Sequence, residues 1–250
     1  MKKLFVSYAT VFLFSLFLSS CTDSIFHRSY VEAYLSDIDG FLLEPTNEKD
    51  GDTPVFSITA LAKEEISGAS YASKEEQVKF EKIAAKNGDL SYNREFEENS
   101  EQELLRNLQM FLAQPIVRIN FSSNKAWDEA HPAGASLNDV LMCYTSSPDE
   151  YIRKGYQADT QQLWEKLRQI KSATTRKFCQ DIVTSSNYTA TPIVGKFSEI
   201  DFTQYRLIGR NGVICWISWL LPPPQDANLT MEVEFEDGKK VTSTFDLSKK

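Results

Sequence analysis

The sequence feature that most constrains the fold is an apolar run near the C-terminal end of the chain, residues 213–221. Both of its alternating faces are apolar, with Ile214, Trp216 and Leu220 on one and Cys215, Ile217, Trp219 and Leu221 on the other. We therefore expect a strand in the middle of a sheet, with another layer of structure over each face. Three prolines at 222–224 end the strand, because proline has no N–H to donate to a sheet ladder.

Two turn signals flank this strand. Asn211-Gly212 is the strongest short hairpin turn, since both central residues need positive φ, and it predicts a hairpin with a strand at 200–208. The second hairpin spans residues 231–247, where apolar residues alternate with glutamates before Asp237-Gly238 and resume after it. This alternation indicates a hairpin with one face exposed to water.

The rest of the chain mixes strand and helix patterns. Alternation predicts strands at 30–36, 41–43, 55–62 and 116–121, with a turn at 37–40 and a loop at 44–53. Helical spacing of apolar residues predicts helices at 74–86, 101–113 and 160–171, and a short one at 148–154. The second of these follows a capping box, Ser100 to Glu103, and precedes Pro115. We predict an α+β fold, mainly antiparallel β, with a sandwich-like sheet and a few helices packed on it or inserted.

The N-terminal segment has the layout of an export signal. Lys2 and Lys3 precede an apolar run from Leu4 to Leu18, and Ser19-Ser20-Cys21 follows. The run is too short and too interrupted by polar residues to favour a transmembrane helix. The ending resembles the bacterial lipobox, which implies cleavage before Cys21 and acylation of that cysteine, for example by palmitate. We expect a signal peptide at 1–20, a tether at 21–29 and a single β-rich domain at 30–250.

Charge and cysteine content limit the partners. The chain has net charge −8. The signal holds two lysines and no acids, so the part of the chain after the signal has net charge −10. This acidity argues against DNA or RNA as a partner, because phosphate binding needs a basic surface. After Cys21 the cysteines are Cys143, Cys179 and Cys215, so at most one internal disulfide is available. Buried free thiols are the favoured interpretation, and we expect no cofactor and no zinc site.

Two passages resemble known proteins. Residues 131–139, HPAGASLND, resemble a segment of uncharacterised lipoproteins from gut Bacteroidota, and residues 231–247 are similar to the closing hairpin of immunoglobulin-like β-sandwich modules in that group. The resemblance implies an anchored protein of the bacterial cell envelope, an outer-membrane lipoprotein with a sandwich-like sheet. It transfers no activity and no site residues.

The candidate ligand-binding residues are Trp127, His131 and Asp139. His131, with Asp128, Glu129 and Asp139 nearby in sequence, suits a metal ion chemically, but a plain structural loop is favoured because no second histidine has ligand spacing. Trp127 is the best candidate for a sugar-stacking ring, although core packing explains most of the tryptophans. The acids at 37–52 lack the spacing of a calcium loop.

Three functions remain open from the sequence. The favoured one is a non-enzymatic binding protein, attached to the membrane by its lipid, for a glycan or another envelope component such as a protein. The alternatives are a structural, adhesin-type assembly module, which the hairpin-rich C-terminus suggests, and a hydrolase of envelope polymers. No nucleophile, zinc-protease or phosphate-loop motif is present in the sequence, so we expect no enzyme.

Overall fold

The computed structural model describes residues 29–68, 72–92 and 109–249. The signal segment, Cys21 and nearly all of the tether lie outside the described residues. Within the described part, no helix is long and apolar enough to cross a membrane. The fold is α+β with mainly antiparallel strands, which confirms the predicted class.

Nine strands in the described part form two sheets. Their bounds are β1 (Ala33–Asp50), β2 (Thr53–Ser67), β3 (Met110–Leu112), β4 (Ile116–Ser123), β5 (Leu141–Ser147), β6 (Thr191–Lys196), β7 (Val213–Trp219), β8 (Asn228–Phe235) and β9 (Lys240–Asp246). The larger sheet has the strand order β3-β1-β2-β7-β5-β6, and the smaller has the order β4-β8-β9. All neighbours are antiparallel except β1 and β3, which run parallel.

The strand β7 lies in the middle of the larger sheet, between β2 and β5, as its two apolar faces predict. On one face Trp216 contacts Phe178, with ring centroids 5.7 Å apart. On the other face Trp219 contacts Phe56 at 5.3 Å. The strand ends at Trp219, before the predicted Leu221, and Leu220 and Leu221 are exposed.

The predicted C-terminal hairpin is confirmed as β8 and β9, with Val233 opposite Val241 and Gly238 in the turn at φ 83°. Its apolar face packs on the larger sheet in one buried cluster, to which Ile58 and Ile217 contribute from one sheet and Phe121 and Met231 from the other. A hydrogen bond from the Phe41 N–H to Ser243 Oγ (2.8 Å) links β1 to β9 where the two sheets approach each other.

Four helices accompany the sheets in the described part: α1 (Lys74–Lys86), α2 (Asp149–Arg153), α3 (Thr160–Gln169) and α4 (Ala173–Ser185). The first three match predicted helices, and Ser73 and Asp159 cap α1 and α3 through their side chains. The fourth lies in a stretch whose pattern is mixed. Ser172 caps it by accepting a hydrogen bond from the Thr175 N–H at 3.2 Å.

The predicted helix at 101–113 is wrong at its C-terminal end. Met110–Leu112 form β3, in parallel register with Ala33–Leu35, while residues 101–108 lie outside the described part. The backbone of β1 supplies hydrogen-bond partners at the sheet edge, such as Leu35 O for the Ala113 N–H at 2.8 Å. Tertiary pairing of this kind outweighs a local helical pattern.

The predicted turn at 37–40 is also corrected, and the predicted loop at 44–53 is reduced to the turn at Gly51-Asp52. β1 runs without interruption from Ala33 to Asp50, and the turn signal corresponds to a register shift between Ile38 and Gly40, with Asp37 at φ 49°. A bulge bends a strand without ending it, which a local turn signal does not distinguish from a true turn.

The predicted strand at 200–208 is wrong as well. Phe197–Glu199 and Phe202–Gln204 are short 3-10 turns, and the Asp201 carboxylate accepts a hydrogen bond from the Thr203 N–H at 3.1 Å. The Asn211-Gly212 turn does form, with φ of 52° and 83°, but it pairs only Arg210 with Val213. The side-chain cap at Asp201 gives this backbone a local alternative to a ladder.

Candidate functional site

A groove of about 500 Å3 lies beside α1 in the part of the chain that the structure describes. Its floor comes from the edge of the larger sheet and the end of β8, and it is lined by apolar side chains: Leu35, Ile38, Ile66, Ile83, Leu112, Ala113 and Phe235. Leu35, Ile83 and Ala113 are only partly buried, so they offer apolar surface to a bound molecule. We call this feature the lysine groove because of its rim.

The rim holds four lysines, Lys79, Lys82, Lys86 and Lys239, together with the polar residues Ser36, Asp37 and Gln114. The first three are on α1 and stand three and four residues apart, a spacing that brings side chains to one helix face. Ile83 lies on the same face and reaches the floor. A second face of α1 is buried through Phe80, whose ring centroid lies 5.2 Å from that of Tyr34.

Three of the rim lysines have carboxylate partners. Lys79 Nζ lies 3.3 Å from Glu64 Oε1, Lys86 Nζ lies 2.8 Å from Glu236 Oε2, and Lys239 Nζ lies 3.2 Å from Asp37 Oδ1. Within residues 29–68, 72–92 and 109–249, Lys82 has no hydrogen-bond or ion-pair partner and is exposed. The rim therefore carries one more cation than anion, on a chain whose net charge is −8.

The start of the described chain is attached next to the C-terminal end of α1. The buried Asp89 accepts hydrogen bonds from the Tyr30 N–H (2.7 Å) and the Val31 N–H (2.9 Å). Asp89 follows Lys86 by three residues, so the chain enters the fold within about 11 Å of the end of the groove helix. Ser29, placed in the tether by its sequence, is already buried here.

The structure brings the predicted residues His131 and Asp139 together and adds Asp128. The ring of His131 lies between two carboxylates, with Nδ1 2.7 Å from Asp128 Oδ1 and Nε2 3.0 Å from Asp139 Oδ1. The hydrogen bond that the ring donates to the Asp128 carboxylate, and second the one to the Asp139 carboxylate, raise the pKa of His131 above its usual value. The same contact with His131 lowers the pKa of Asp128.

Trp127 adjoins this cluster through its backbone, since its N–H donates to the His131 carbonyl at 2.8 Å. Its ring is in the core, 8% exposed, and the indole N–H donates to the Leu221 carbonyl at 3.2 Å. The prediction that Trp127 offers an exposed ring for stacking on a sugar is therefore corrected, because this residue packs in the core. Among the described residues, no group of three or more His, Cys, Asp or Glu side chains is arranged to hold a metal ion.

The cysteines Cys143, Cys179 and Cys215 are buried and free, which confirms the favoured interpretation of them as small apolar residues. Burial raises the pKa of Cys143, and the neighbouring Cys215 raises it further. Burial raises the pKa of Cys179 to about 12. Thiols that stay protonated are poor nucleophiles, so Cys143 and Cys179 are expected to be unreactive.

Sequence reasoning missed the lysine groove. The recurrence of lysine at 79, 82 and 86 within a predicted helix was a usable signal, since it places three cations on one helix face. The floor had no local signal, because it combines β1, β3 and the end of β8, which lie far apart in the sequence.

Comparison of the chain with protein-family models, curated proteins and solved structures gave no match. The resemblance to lipoproteins of Bacteroidota therefore stays a prediction.

Proposed function

We propose that this chain is a non-enzymatic lipoprotein of the bacterial cell envelope, anchored to the outer membrane through acylated Cys21, and that it binds a lipid-like ligand in the lysine groove. The observation that carries this proposal is the groove itself, an open apolar floor with a cationic rim. The proposal narrows the ligand expected from the sequence, a component of the cell envelope, to a lipid-like molecule.

The dimensions of the groove support a small ligand. Pockets for small molecules usually measure about 300–1,000 Å3 and are lined mostly by apolar side chains, and a groove of about 500 Å3 falls within that range. Each methylene group that leaves water for an apolar site contributes about 0.8 kcal/mol, so one aliphatic chain supplies substantial affinity.

The position of the groove supports a ligand from the membrane. Ser29 is eight positions after Cys21, and eight steps of an extended chain span no more than about 30 Å. Since the chain enters the fold beside the end of α1, an anchored protein keeps this end of the helix within a few tens of ångströms of the lipid surface. Acyl chains are then the most abundant apolar molecules within reach.

A glycan receives less support. Sugar sites use exposed aromatic rings as flat platforms. Trp127 is buried, and Phe235, the one aromatic side chain among the described residues that line the groove, is 2% exposed.

A dye-binding experiment tests the groove. The probe is Nile red, a neutral apolar dye, added to the full chain carrying Cys21→Ala to remove the expected lipid. Ala113→Phe fills the groove and is expected to lower the dye fluorescence, whereas the control Ala173→Phe, at an exposed position on α4, leaves it unchanged. Equal binding by both variants, with equal thermal stability, would contradict the proposal.

A separate experiment tests the anchor. Radiolabelled palmitate is expected to enter the protein in cells, and Cys21→Ala is expected to release it from the membrane fraction. Absence of label, together with an unchanged membrane fraction for the variant, contradicts the anchor without affecting the groove.

A further inference from the structure

We propose that the ligand of the lysine groove is a fatty-acid-like molecule, one aliphatic chain ending in a carboxylate, and that Lys82 binds the carboxylate. This inference rests on the proposed function and adds the charge of the head group and the residue that recognises it.

The first argument is the charge of the rim. Three of its lysines already lie within 3.3 Å of a carboxylate of the protein. Lys82 is the rim cation without such a partner among the described residues. A bound carboxylate therefore gains an unshared positive charge at this position, whereas a cationic head group meets repulsion from it.

The second argument is the position of Lys82 over the floor. Lys82 precedes Ile83 on α1, and both line the groove. Lysine keeps its ammonium group in water while its methylene stem lies along an apolar surface. A chain lying on Ile83, Leu35 and Ala113 would thus end at the water boundary, where Lys82 holds its charge.

The third argument is the type of cation. Arginine is favoured where a phosphate is bound by two parallel hydrogen bonds, while lysine acts as a point charge. Among the described residues, those that line the groove include four lysines and no arginine. This composition fits a head group with one negative charge.

Isothermal titration with three amphiphiles of equal chain length tests the head group. The probes are dodecanoate, dodecyltrimethylammonium and neutral dodecyl maltoside, each kept below micelle formation, with the full chain carrying Cys21→Ala. We expect dodecanoate to bind at least tenfold more tightly than dodecyltrimethylammonium. Decanoate, shorter by two methylenes, is expected to bind about fifteenfold more weakly than dodecanoate.

Substitutions of Lys82 test the recognition residue. Lys82→Gln is expected to weaken dodecanoate about two- to fivefold, as for an exposed ion pair, and Lys82→Arg to restore it. Lys82→Glu is expected to weaken dodecanoate further and to strengthen dodecyltrimethylammonium. Lys177→Gln, an equal charge change at an exposed position on α4, serves as the control and leaves both affinities unchanged.

The outcomes separate this inference from the proposed function. If all three head groups bind equally, or if Lys82→Gln changes dodecanoate no more than Lys177→Gln does, the carboxylate inference is overturned while a lipid-like ligand stands. If neither Nile red nor any amphiphile binds, the proposed function fails and this inference fails with it.

Discussion

Nε2 of His131 lies 3.0 Å from Oδ1 of Asp139, while its Nδ1 lies 2.7 Å from Oδ1 of Asp128. Both ring nitrogens therefore face a carboxylate, which favours the doubly protonated, charged imidazole. The predicted candidates His131 and Asp139 thus form a charge cluster with Asp128. This cluster joins the loop after Trp127 to the segment before β5.

This cluster predicts a pH dependence of stability. The pKa of His131 is raised above its usual 6.5, so its stabilising contribution is complete below about pH 6.5 and is lost as the pH rises through the raised pKa. The pKa of Asp128 is lowered from 3.8, so its contribution is complete above about pH 3.8 and is lost as the pH falls through the lowered pKa. The cluster is most stabilising between these limits.

Proton NMR of the His131 ring checks this prediction. We expect His131 to titrate above 6.5, and Asp139→Asn to lower its pKa because one of the two carboxylates is removed. Asp181→Asn, at an exposed position on α4, is the control and should not shift it. Titration at the usual value in both variants and in the unmodified chain would show that the cluster is absent in solution.

Asp89→Ala is expected to lower the free energy of unfolding by about 3–5 kcal/mol. Asp89 is fully buried and accepts hydrogen bonds from the Tyr30 N–H, the Val31 N–H and, at 3.0 Å, the Tyr156 hydroxyl. The substitution leaves buried donors without their acceptor. Urea unfolding measures the loss, with Asp181→Ala as the exposed control, expected to change stability by less than about 0.5 kcal/mol. Similar losses in the two variants would contradict the role given to Asp89.

Gly209→Ala is expected to destabilise the protein by about 3 kcal/mol or more. Gly209 has φ 76°, and a Cβ atom there would collide with the Val213 carbonyl oxygen. Gly51 also has positive φ, 65°, but nothing within 4 Å of the added atom. Gly51→Ala is therefore the matched control, with an expected cost of about 1–2 kcal/mol from the backbone conformation alone. If thermal unfolding gives the two variants the same cost, the close approach at Gly209 is not present.

The three buried cysteines are expected to resist alkylation in the folded protein. Cys143, Cys179 and Cys215 are inaccessible, and burial raises the pKa of the first two. Mass spectrometry after N-ethylmaleimide treatment should show none of them labelled in buffer and all of them labelled in urea. Rapid labelling of any one in buffer would mean that its strand or helix opens readily.

Local patterns of the sequence determined several elements. The two apolar faces of 213–221 place β7 in the middle of its sheet. The alternation on both sides of Asp237-Gly238 gives the closing hairpin, because only one strand register buries all the apolar side chains on the same face. The apolar spacing at 74–86 and 160–171 likewise identifies two helices. Of the candidate cluster, the sequence identified His131 and Asp139, while the two-sided arrangement around the ring needed the folded loop.

The tertiary structure decided what depends on partners distant in the chain. Met110–Leu112 became a strand because the edge of β1 was open to them, and residues 200–208 did not, because Asp201 caps a 3-10 turn and Gly209 N–H bonds to Ser146 O at 2.9 Å. The lysine groove exists only where α1, β1, β3 and the end of β8 meet. The sequence alone specified the lysines of its rim, but hydrogen bonding and packing between remote segments determined that an apolar floor lies beneath them.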